Sequence, residues 1–233
     1  MLDEVRRDVA MVRERDPAAR TRVEVALCYP GLHAVWGHRV ANRLWLTGHP
    51  LAARVLSTVV RAWTAVDIHP AATIGPGLFI DHALGVVIGE TAEVGADVTL
   101  YQGVTLGGTS LEGGKRHPTV GDRVTIGSGA KVLGPVTIGA GSRIGANAVV
   151  VRDVPPDSVV VGVPGQVIAR SRPRSTTATL DVEDALLPDL VGVTLGSLQR
   201  QVDELAHLVH AEAAEPGLRP SAAGVWKGED FSI

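Results

Sequence analysis

The sequence is poor in several residue types that would point to common classes of protein. Aromatic residues make up 3% of the 233 residues, and a single cysteine, Cys28, excludes an internal disulfide framework. No apolar run is long enough to span a bilayer, and the charged first residues lack the apolar region of a signal peptide. Basic residues nowhere cluster densely enough to indicate a nucleic-acid surface. These absences predict a cytoplasmic protein that binds neither membranes nor nucleic acids.

Charge is distributed unevenly along the chain. Residues 175–233 hold three basic and ten acidic residues, whereas residues 1–174 hold 19 basic and 15 acidic ones. A mildly basic body beside an acidic segment fits a body that handles an anionic ligand, although a solvated acidic tail explains the same pattern.

Aliphatic residues recur at every sixth position from Ile68 to Val150. A spacing of six fits neither the 3.6 residues of a helical turn nor the alternation of a strand. It predicts a mainly β protein, a parallel β-helix in which each hexapeptide forms one flat face and points its aliphatic residue inward. Thirteen such hexads, three to a coil, give a little over four coils. The series is Ile68, Ile74, Ile80, Val86, Ala92, Val98, Val104, Val120, Ile126, Val132, Ile138, Ile144 and Val150.

The series breaks once, between Val104 and Val120. Sixteen residues stand there in place of six, so that about ten are extra. The stretch from Gly107 to Pro118 is rich in glycine and carries adjacent charges, and we expect it to leave the coil as a loop. Long loops on a regular scaffold are commonly functional, and Arg116 and His117 close this one.

The chain divides into three predicted parts. Residues 1–66 form an α-helical region in which Asp16-Pro17 has the pattern of a helix start. Residues 67–169 form the β-helix with its loop at 107–118. Residues 170–233 form a linker, a short helix over about 186–213 and a flexible tail. The heptad spacing in this helix fits either a short coiled coil or a helix packed on the body. It is carried by Leu195, Leu198, Val202, Leu205 and Val209.

Polar residues that interrupt the aliphatic coil are the candidates for chemistry. Asp67 and His82 are separated by most of one coil, so stacked coils can bring them together as a general base; a structural histidine fits the same pattern. No nucleophile motif accompanies them, which favours direct transfer onto a bound acceptor. Gly107 and Gly108 have backbone N–H groups suited to an oxyanion, and Arg116 is suited to a carboxylate.

A zinc site is the alternative interpretation of His82 and His117. The γ-type carbonic anhydrases, which also contain hexapeptide β-helices, hold zinc with three histidines. The third histidine that such a site requires a few residues after His117 is absent, and Asp122 and Arg123 stand in that region. We therefore expect no metal.

Several motifs together resemble bacterial serine O-acetyltransferases. The segment from Val66 to Ala92, with its Asp-Ile-His-Pro and Asp-His-Ala, resembles the core signature of this family, as do Gln-Gly-Val-Thr-Leu-Gly-Gly-Thr at 102–109 and Lys-Arg-His-Pro at 115–118. Asp-Pro-Ala at 16–18 and Gly-Leu-His-Ala at 31–34 resemble its helical region. The resemblance covers about residues 13–168. It implies a left-handed coil and an acetyl-CoA:L-serine O-acetyltransferase that makes O-acetyl-L-serine for cysteine biosynthesis.

The resemblance also implies a role for each motif residue that would meet serine. His82 would be the base for the serine hydroxyl, and Asp67 would orient it. Asp81 and Asp16 would bind the ammonium group of serine, and Arg116 its carboxylate. His117, from the neighbouring subunit, would hold the substrate and the tetrahedral intermediate.

Acetyl-CoA is the co-substrate that the resemblance implies, lying along a cleft between neighbouring subunits. Its pantetheine would bond to backbone near Gly108, Thr109 and Ala130. Lys131 would face the negative groups of CoA, unless it is simply a solvated lysine.

The remaining expectations concern partners. The resemblance implies a homotrimer or a dimer of trimers, feedback inhibition by L-cysteine, and docking of the terminal Ile233 into cysteine synthase. Two other functions stay open on the sequence: acetylation of another hydroxyl acceptor, such as homoserine or a sugar, and a non-catalytic role as a partner of cysteine synthase.

Overall fold

The computed structural model describes residues 2–170 and 196–205. Residues 1–187 and 188–233 form two separate units. In the first, four helices precede a coil of very short strands. The helices are α1 (Leu2–Arg15), α2 (Arg22–Cys28), α3 (Pro30–Leu46) and α4 (Pro50–Thr64). The strands are β1 (Asp67–Ile68), β2 (Thr73–Ile74), β3 (Phe79–Ile80), β4 (Val87–Ile88), β5 (Glu93–Val94), β6 (Thr99–Leu100), β7 (Thr105–Gly107), β8 (Thr119–Val120), β9 (Thr125–Ile126), β10 (Lys131–Leu133), β11 (Thr137–Ile138), β12 (Arg143–Ile144), β13 (Val149–Val150), β14 (Ser158–Val161) and β15 (Gln166–Arg170).

The strands form the three faces of a prism. Face 1 stacks β1, β4, β7, β10 and β13; face 2 stacks β2, β5, β8 and β11; face 3 stacks β3, β6, β9, β12 and β14, with β15 added antiparallel at its end. Each other pairing is parallel, between strands one coil apart. The predicted left-handed parallel β-helix is thereby confirmed. We call the turns between faces 3 and 1 the 3/1 edge, and those between faces 1 and 2 the 1/2 edge.

The strand register corrects the predicted six-residue series. Asp67 pairs with Val87, twenty residues later, whereas Val87 pairs with Thr105, eighteen residues later. Two extra residues therefore lie at the 3/1 edge between β3 and β4. Thr105 pairs with Lys131, twenty-six residues later, so the loop adds eight residues and not ten.

The missed insertion shifts the inward-facing set of strand residues by two positions. The series through Val86, Ala92, Val98 and Val104 consists of buried residues that precede each strand, not of strand residues. The inward residues of those strands are Ile88, Val94, Leu100 and Leu106. Both sets belong to one continuous core, which is why the spacing of six continued through the insertion unnoticed.

Helices α1 and α3 pack against β3 of face 3, and α4 packs against β1 of face 1. The buried carboxylate of Asp8 in α1 accepts hydrogen bonds from both terminal nitrogens of Arg39 in α3, at 2.5 and 2.9 Å, and from the indole of Trp36 at 2.9 Å. Arg15 at the end of α1 donates to the backbone carbonyl of Asp97 and to the hydroxyl of Thr99, at 3.0 and 2.7 Å. These bonds fix the helical region against the strands.

The predicted helix start at Asp16-Pro17 is wrong. α1 ends at Arg15, and the carboxylate of Asp16 accepts the backbone N–H of Ala18 at 2.8 Å within a turn. The next helix starts later because Thr21 and Glu24 form a capping box there, which satisfies two backbone N–H groups at once.

Part of the predicted C-terminal helix lies among the described residues. Residues 196–205 are helical, within the expected 186–213. Leu198, Val202 and Leu205 of the predicted heptad are each more than half exposed. Leu195 and Val209, the linker, the tail and Ile233 lie outside the described residues. Across 2–170 and 196–205, no helix has the length and apolar character needed to cross a membrane.

Candidate active site

The 3/1 edge between β3 and β4 projects His82 outward. His82 and Ala83 both have left-handed backbone conformations, with φ of 56° and 54°. A left-handed conformation costs about 1–2 kcal/mol for each residue other than glycine. This strain falls on the two extra residues of the turn. The imidazole of His82 is 73% exposed as a result, and is open to a substrate.

Asp81 is the carboxylate that faces this imidazole. Its Oδ2 lies 3.8 Å from His82 Nε2, and its Oδ1 accepts the backbone N–H of His82 at 2.9 Å. Burial raises the pKa of the Asp81 carboxyl; the charge of His82 opposes that rise, and the negative charge of Asp16 adds to it. Asp81 and Asp16 are therefore close enough to repel each other.

A close approach of α3 to the coil brings Asp16 to this place. A Cβ at Gly31 would stand 2.1 Å from the carbonyl oxygen of Ile80, so only glycine allows the start of α3 to lie against β3. Tyr29, two residues earlier, donates its hydroxyl to Asp16 at 2.5 Å. Burial is the largest cause of the raised pKa of the Tyr29 hydroxyl, and the hydrogen bond to Asp16 adds to that rise. Two partly desolvated carboxylates beside each other attract a cation such as an ammonium group.

Asp67 is paired with Arg61 instead of His82. Its Oδ2 forms an ion pair with Arg61 of α4 at 3.2 Å, and within residues 2–170 no hydrogen bond or ion pair joins it to His82. Because the first coil has twenty residues, Asp67 stacks on Val87, five residues beyond His82. That Asp67 orients His82 stays a prediction from the family resemblance.

A second group of polar residues lies at the 1/2 edge, where the loop returns to the coil. The guanidinium of Arg116 donates to the carboxylate of Glu90, one coil earlier. This hydrogen bond lowers the pKa of Glu90 despite a smaller opposing effect of burial. The backbone N–H of Arg116 donates to the hydroxyl of Thr91 at 3.1 Å.

His117 belongs to the same group and is 9% exposed. Its Nδ1 lies 2.9 Å from the hydroxyl of Thr91 and 3.2 Å from the backbone nitrogen of Thr91. Burial lowers the pKa of this imidazole, and the positive charge of Arg116 lowers it further. The motifs named Arg116 and His117 but missed Glu90 and Thr91. The signal for those two was the spacing of 26 residues between Glu90 and Arg116, which is the length of the coil that contains the loop.

The two groups occupy different edges of the prism, with face 1 between them. In the described part of the first unit, no hydrogen bond or ion pair connects Asp16, Asp81 or His82 with Arg116 or His117. A cavity of about 410 Å³ adjoins the second group, with Trp45, Glu90, Thr91 and Lys115 in its wall.

The four residues predicted to meet acetyl-CoA border face 1. Gly108 follows β7 and lies against His117, because a Cβ there would be 3.2 Å from Nε2. Thr109 lies beside Gly134. Ala130 is buried, and both its backbone groups are hydrogen-bonded within the coil. Lys131 donates its Nζ to the carbonyl of Gly103. The predicted contacts with acetyl-CoA stay predictions.

Metal ligands do not converge at either edge. Among the described residues, no three side chains of histidine, cysteine, aspartate or glutamate are grouped so that they could hold a metal ion. His82 and His117, the two histidines weighed for zinc, belong to the separate groups described above.

Comparison with protein families and known sequences finds close relatives. The family model described as bacterial transferase hexapeptide (six repeats) matches residues 117–152. The serine acetyltransferase of Mycobacterium tuberculosis is 61% identical over 233 residues, covering all of both chains. The serine acetyltransferase of Bacillus subtilis is 50% identical over 201 residues, or 86% of this chain and 91% of the relative.

Solved structures of similar chains carry ligands. Serine acetyltransferase of Neisseria gonorrhoeae in complex with serine has a TM-score of 0.70 and 46% identity, covering 72% of this chain and 69% of the other. A serine acetyltransferase in complex with cysteine has a TM-score of 0.72 and 42% identity, covering 73% and 66%. One in complex with CoA has a TM-score of 0.68 and 41% identity, covering 72% and 69%.

The position of the His117 ring depends on Gly89. A Cβ at Gly89 would stand 2.0 Å from both Nε2 and Cδ2 of His117, so Gly89→Ala must displace the ring. We expect a loss of about 1–3 kcal/mol in the free energy of unfolding, as for overpacking elsewhere.

Denaturant unfolding measures this loss, with Gly113→Ala as the matched control. A Cβ at Gly113 meets nothing within 4 Å, so its free energy of unfolding should stay within about 1 kcal/mol of the unmodified chain. Equal stability of the two variants would contradict the packing described for His117.

Proposed function

The chain belongs to the serine acetyltransferase family, and we propose that the residues at its two edges transfer the acetyl group of acetyl-CoA to the hydroxyl of L-serine. The observation that carries this proposal is the arrangement at the 3/1 edge. There an exposed imidazole, His82, stands beside two half-buried carboxylates, Asp81 and Asp16. Such an arrangement suits an acceptor that has both a hydroxyl and an ammonium group.

His82 acts as the general base. Its imidazole takes the proton of the serine hydroxyl as that oxygen attacks the thioester carbon of acetyl-CoA. When the carbon–sulfur bond breaks, the imidazolium returns the proton to the departing thiolate, so the imidazole is neutral again and free CoA leaves. Asp81, 3.8 Å from the ring, stabilises the transient cation, and Asp67 orients the ring.

The two groups of residues recognise opposite ends of serine. Asp16 and Asp81 bind the ammonium group, while Arg116 binds the carboxylate in the orientation that its bond to Glu90 imposes. His117 holds the substrate and the tetrahedral intermediate. L-cysteine has the same ammonium and carboxylate groups as serine, so it competes for this site as a feedback inhibitor.

Acetyl-CoA extends along face 1, the surface that separates the two edges. Gly108 and Thr109 border this face at the 1/2 edge next to His117, and Ala130 and Lys131 lie across it. Backbone near Gly108, Thr109 and Ala130 would bind the pantetheine arm, and Lys131 the negative groups of CoA.

A complete site requires two chains. The base and the ammonium-binding carboxylates stand at the 3/1 edge, whereas the carboxylate-binding arginine stands at the 1/2 edge. Contacts in a threefold assembly are heterologous, so the 3/1 edge of one subunit can face the 1/2 edge of the next. We therefore propose a homotrimer, or a dimer of such trimers, with three equivalent sites between neighbours in each trimer.

A cytoplasmic location, expected from the sequence, stays a prediction.

Removal of the His82 imidazole tests the base. His82→Ala should lower the rate of CoA release with serine about 10²- to 10⁴-fold, with little change in KM. His49→Ala removes another exposed histidine, in the turn between α3 and α4, and should leave the rate unchanged. Comparing serine with homoserine in the same assay identifies the acceptor. A His82→Ala variant as active as the unmodified chain on every acceptor would refute this function.

Mixing two inactive variants tests the site between chains. Co-expressed His82→Ala and His117→Ala chains should regain activity, because an intact site forms wherever the first variant supplies His117 and its neighbour supplies His82. Random assembly restores about one quarter of the sites of the unmodified trimer. If both residues acted within one chain, the mixture would be as inactive as each variant alone.

The terminal Ile233 is proposed to dock into cysteine synthase, as the family resemblance implies. Deletion of the last few residues should abolish binding of cysteine synthase, measured by isothermal calorimetry, and leave acetyl transfer intact. Binding that survives the deletion would show that Ile233 is not the anchor.

A further inference from the structure

Thr91 connects the two residues of the 1/2 edge that meet the substrate. We infer that Thr91 is a positioning residue, which fixes the proton of His117 on Nε2 and holds the backbone of Arg116 and His117 in place. This inference rests on the proposed function, in which Arg116 and His117 bind serine and the intermediate. It assigns Thr91 a role that no motif indicated.

The hydroxyl of Thr91 is surrounded by three nitrogen atoms. It accepts the backbone N–H of Arg116 and the backbone N–H of His117, each at 3.1 Å. It also lies 2.9 Å from Nδ1 of His117. A hydroxyl has two acceptor lone pairs and one hydrogen. Because the two backbone donors occupy the lone pairs, the hydroxyl hydrogen points to Nδ1.

The backbone of Thr91 requires the same proton arrangement. Its N–H lies 3.2 Å from Nδ1 of His117 and is able only to donate. Nδ1 therefore presents a lone pair to two donors, and the proton of the neutral imidazole resides on Nε2. A second proton on Nδ1 would stand against an N–H group and displace the hydroxyl hydrogen. The charged groups around the ring are Arg116, Lys115 and Glu90.

The free side of the ring faces backbone without side chains. Cβ atoms at Gly89 and Gly108 would stand 2.0 and 3.2 Å from Nε2, so glycine at both positions keeps side chains away from this nitrogen. An N–H at Nε2 is suited to donate to the acetyl oxygen as negative charge develops on it. Thr91 thus makes His117 a neutral donor, while His82 acts as the base.

Two substitutions separate the hydroxyl from the shape of Thr91. Thr91→Val keeps the shape but removes the hydroxyl, which leaves the backbone N–H groups of Arg116 and His117 without an acceptor and Nδ1 with only the backbone N–H of residue 91 as a donor. We expect kcat/KM for serine to fall about 10- to 100-fold, through both kcat and KM. Thr91→Ser keeps the hydroxyl and should retain activity within about threefold. Thr137→Val, on an exposed threonine of face 2, is the control and should change nothing.

The tautomer is measured directly by ¹⁵N NMR of histidine-labelled protein. The unmodified chain should show His117 protonated on Nε2, and Thr91→Val should show a rise in the fraction protonated on Nδ1. His117→Ala identifies the signal.

The outcomes distinguish this role from a purely structural one. A His117 proton on Nδ1 in the unmodified chain overturns the inference whether or not Thr91→Val folds. So does a folded Thr91→Val with unchanged kcat and KM. If the chain made no O-acetylserine at all, the proposed function would fail, yet the NMR spectrum would still decide the tautomer.

Discussion

Parallel pairing in register between successive coils is the constraint on which the rest of this structure depends. Each strand from β1 to β13 pairs with the strand one coil away, and a slip of one residue would turn its buried side chain outward. Strands of two or three residues leave no room for an insertion within a face. Extra residues therefore enter at the edges, as the pairings of Asp67 with Val87 and Thr105 with Lys131 show.

Both insertions deliver residues of the proposed site. Two extra residues at the 3/1 edge force His82 and Ala83 into left-handed conformations, which turn the imidazole away from the core. Eight extra residues at the 1/2 edge return the chain at Arg116 and His117, against the preceding coil. Since these edges flank face 1, the β-helix that positions each group of residues also keeps the two groups of the proposed site apart within one chain. Under the proposed function, assembly of subunits is then part of the chemistry.

The sequence predicted the coil well and its register poorly, for one physical reason. Residues immediately before each strand, two positions before its inward-facing residue, are also buried, so Val86 and Val98 continued the spacing of six through an insertion. Ala92 was the one irregular member of that series. Motifs found Arg116 but not its partner Glu90, because that contact depends on the true length of the coil. Local pattern predicts the period; only three-dimensional stacking determines which residues meet.

A histidine stands at each of the two edges, and the two imidazoles have opposite environments. The His82 ring is largely exposed beside a carboxylate, which suits the base of the proposed function. His117 is buried, with its Nδ1 held by Thr91 and positive charge nearby, and each of these disfavours the imidazolium. A base must change its protonation state, whereas a donor to an oxyanion must keep it. In the proposed function, burial and hydrogen bonding therefore suit these histidines to different tasks before any substrate binds.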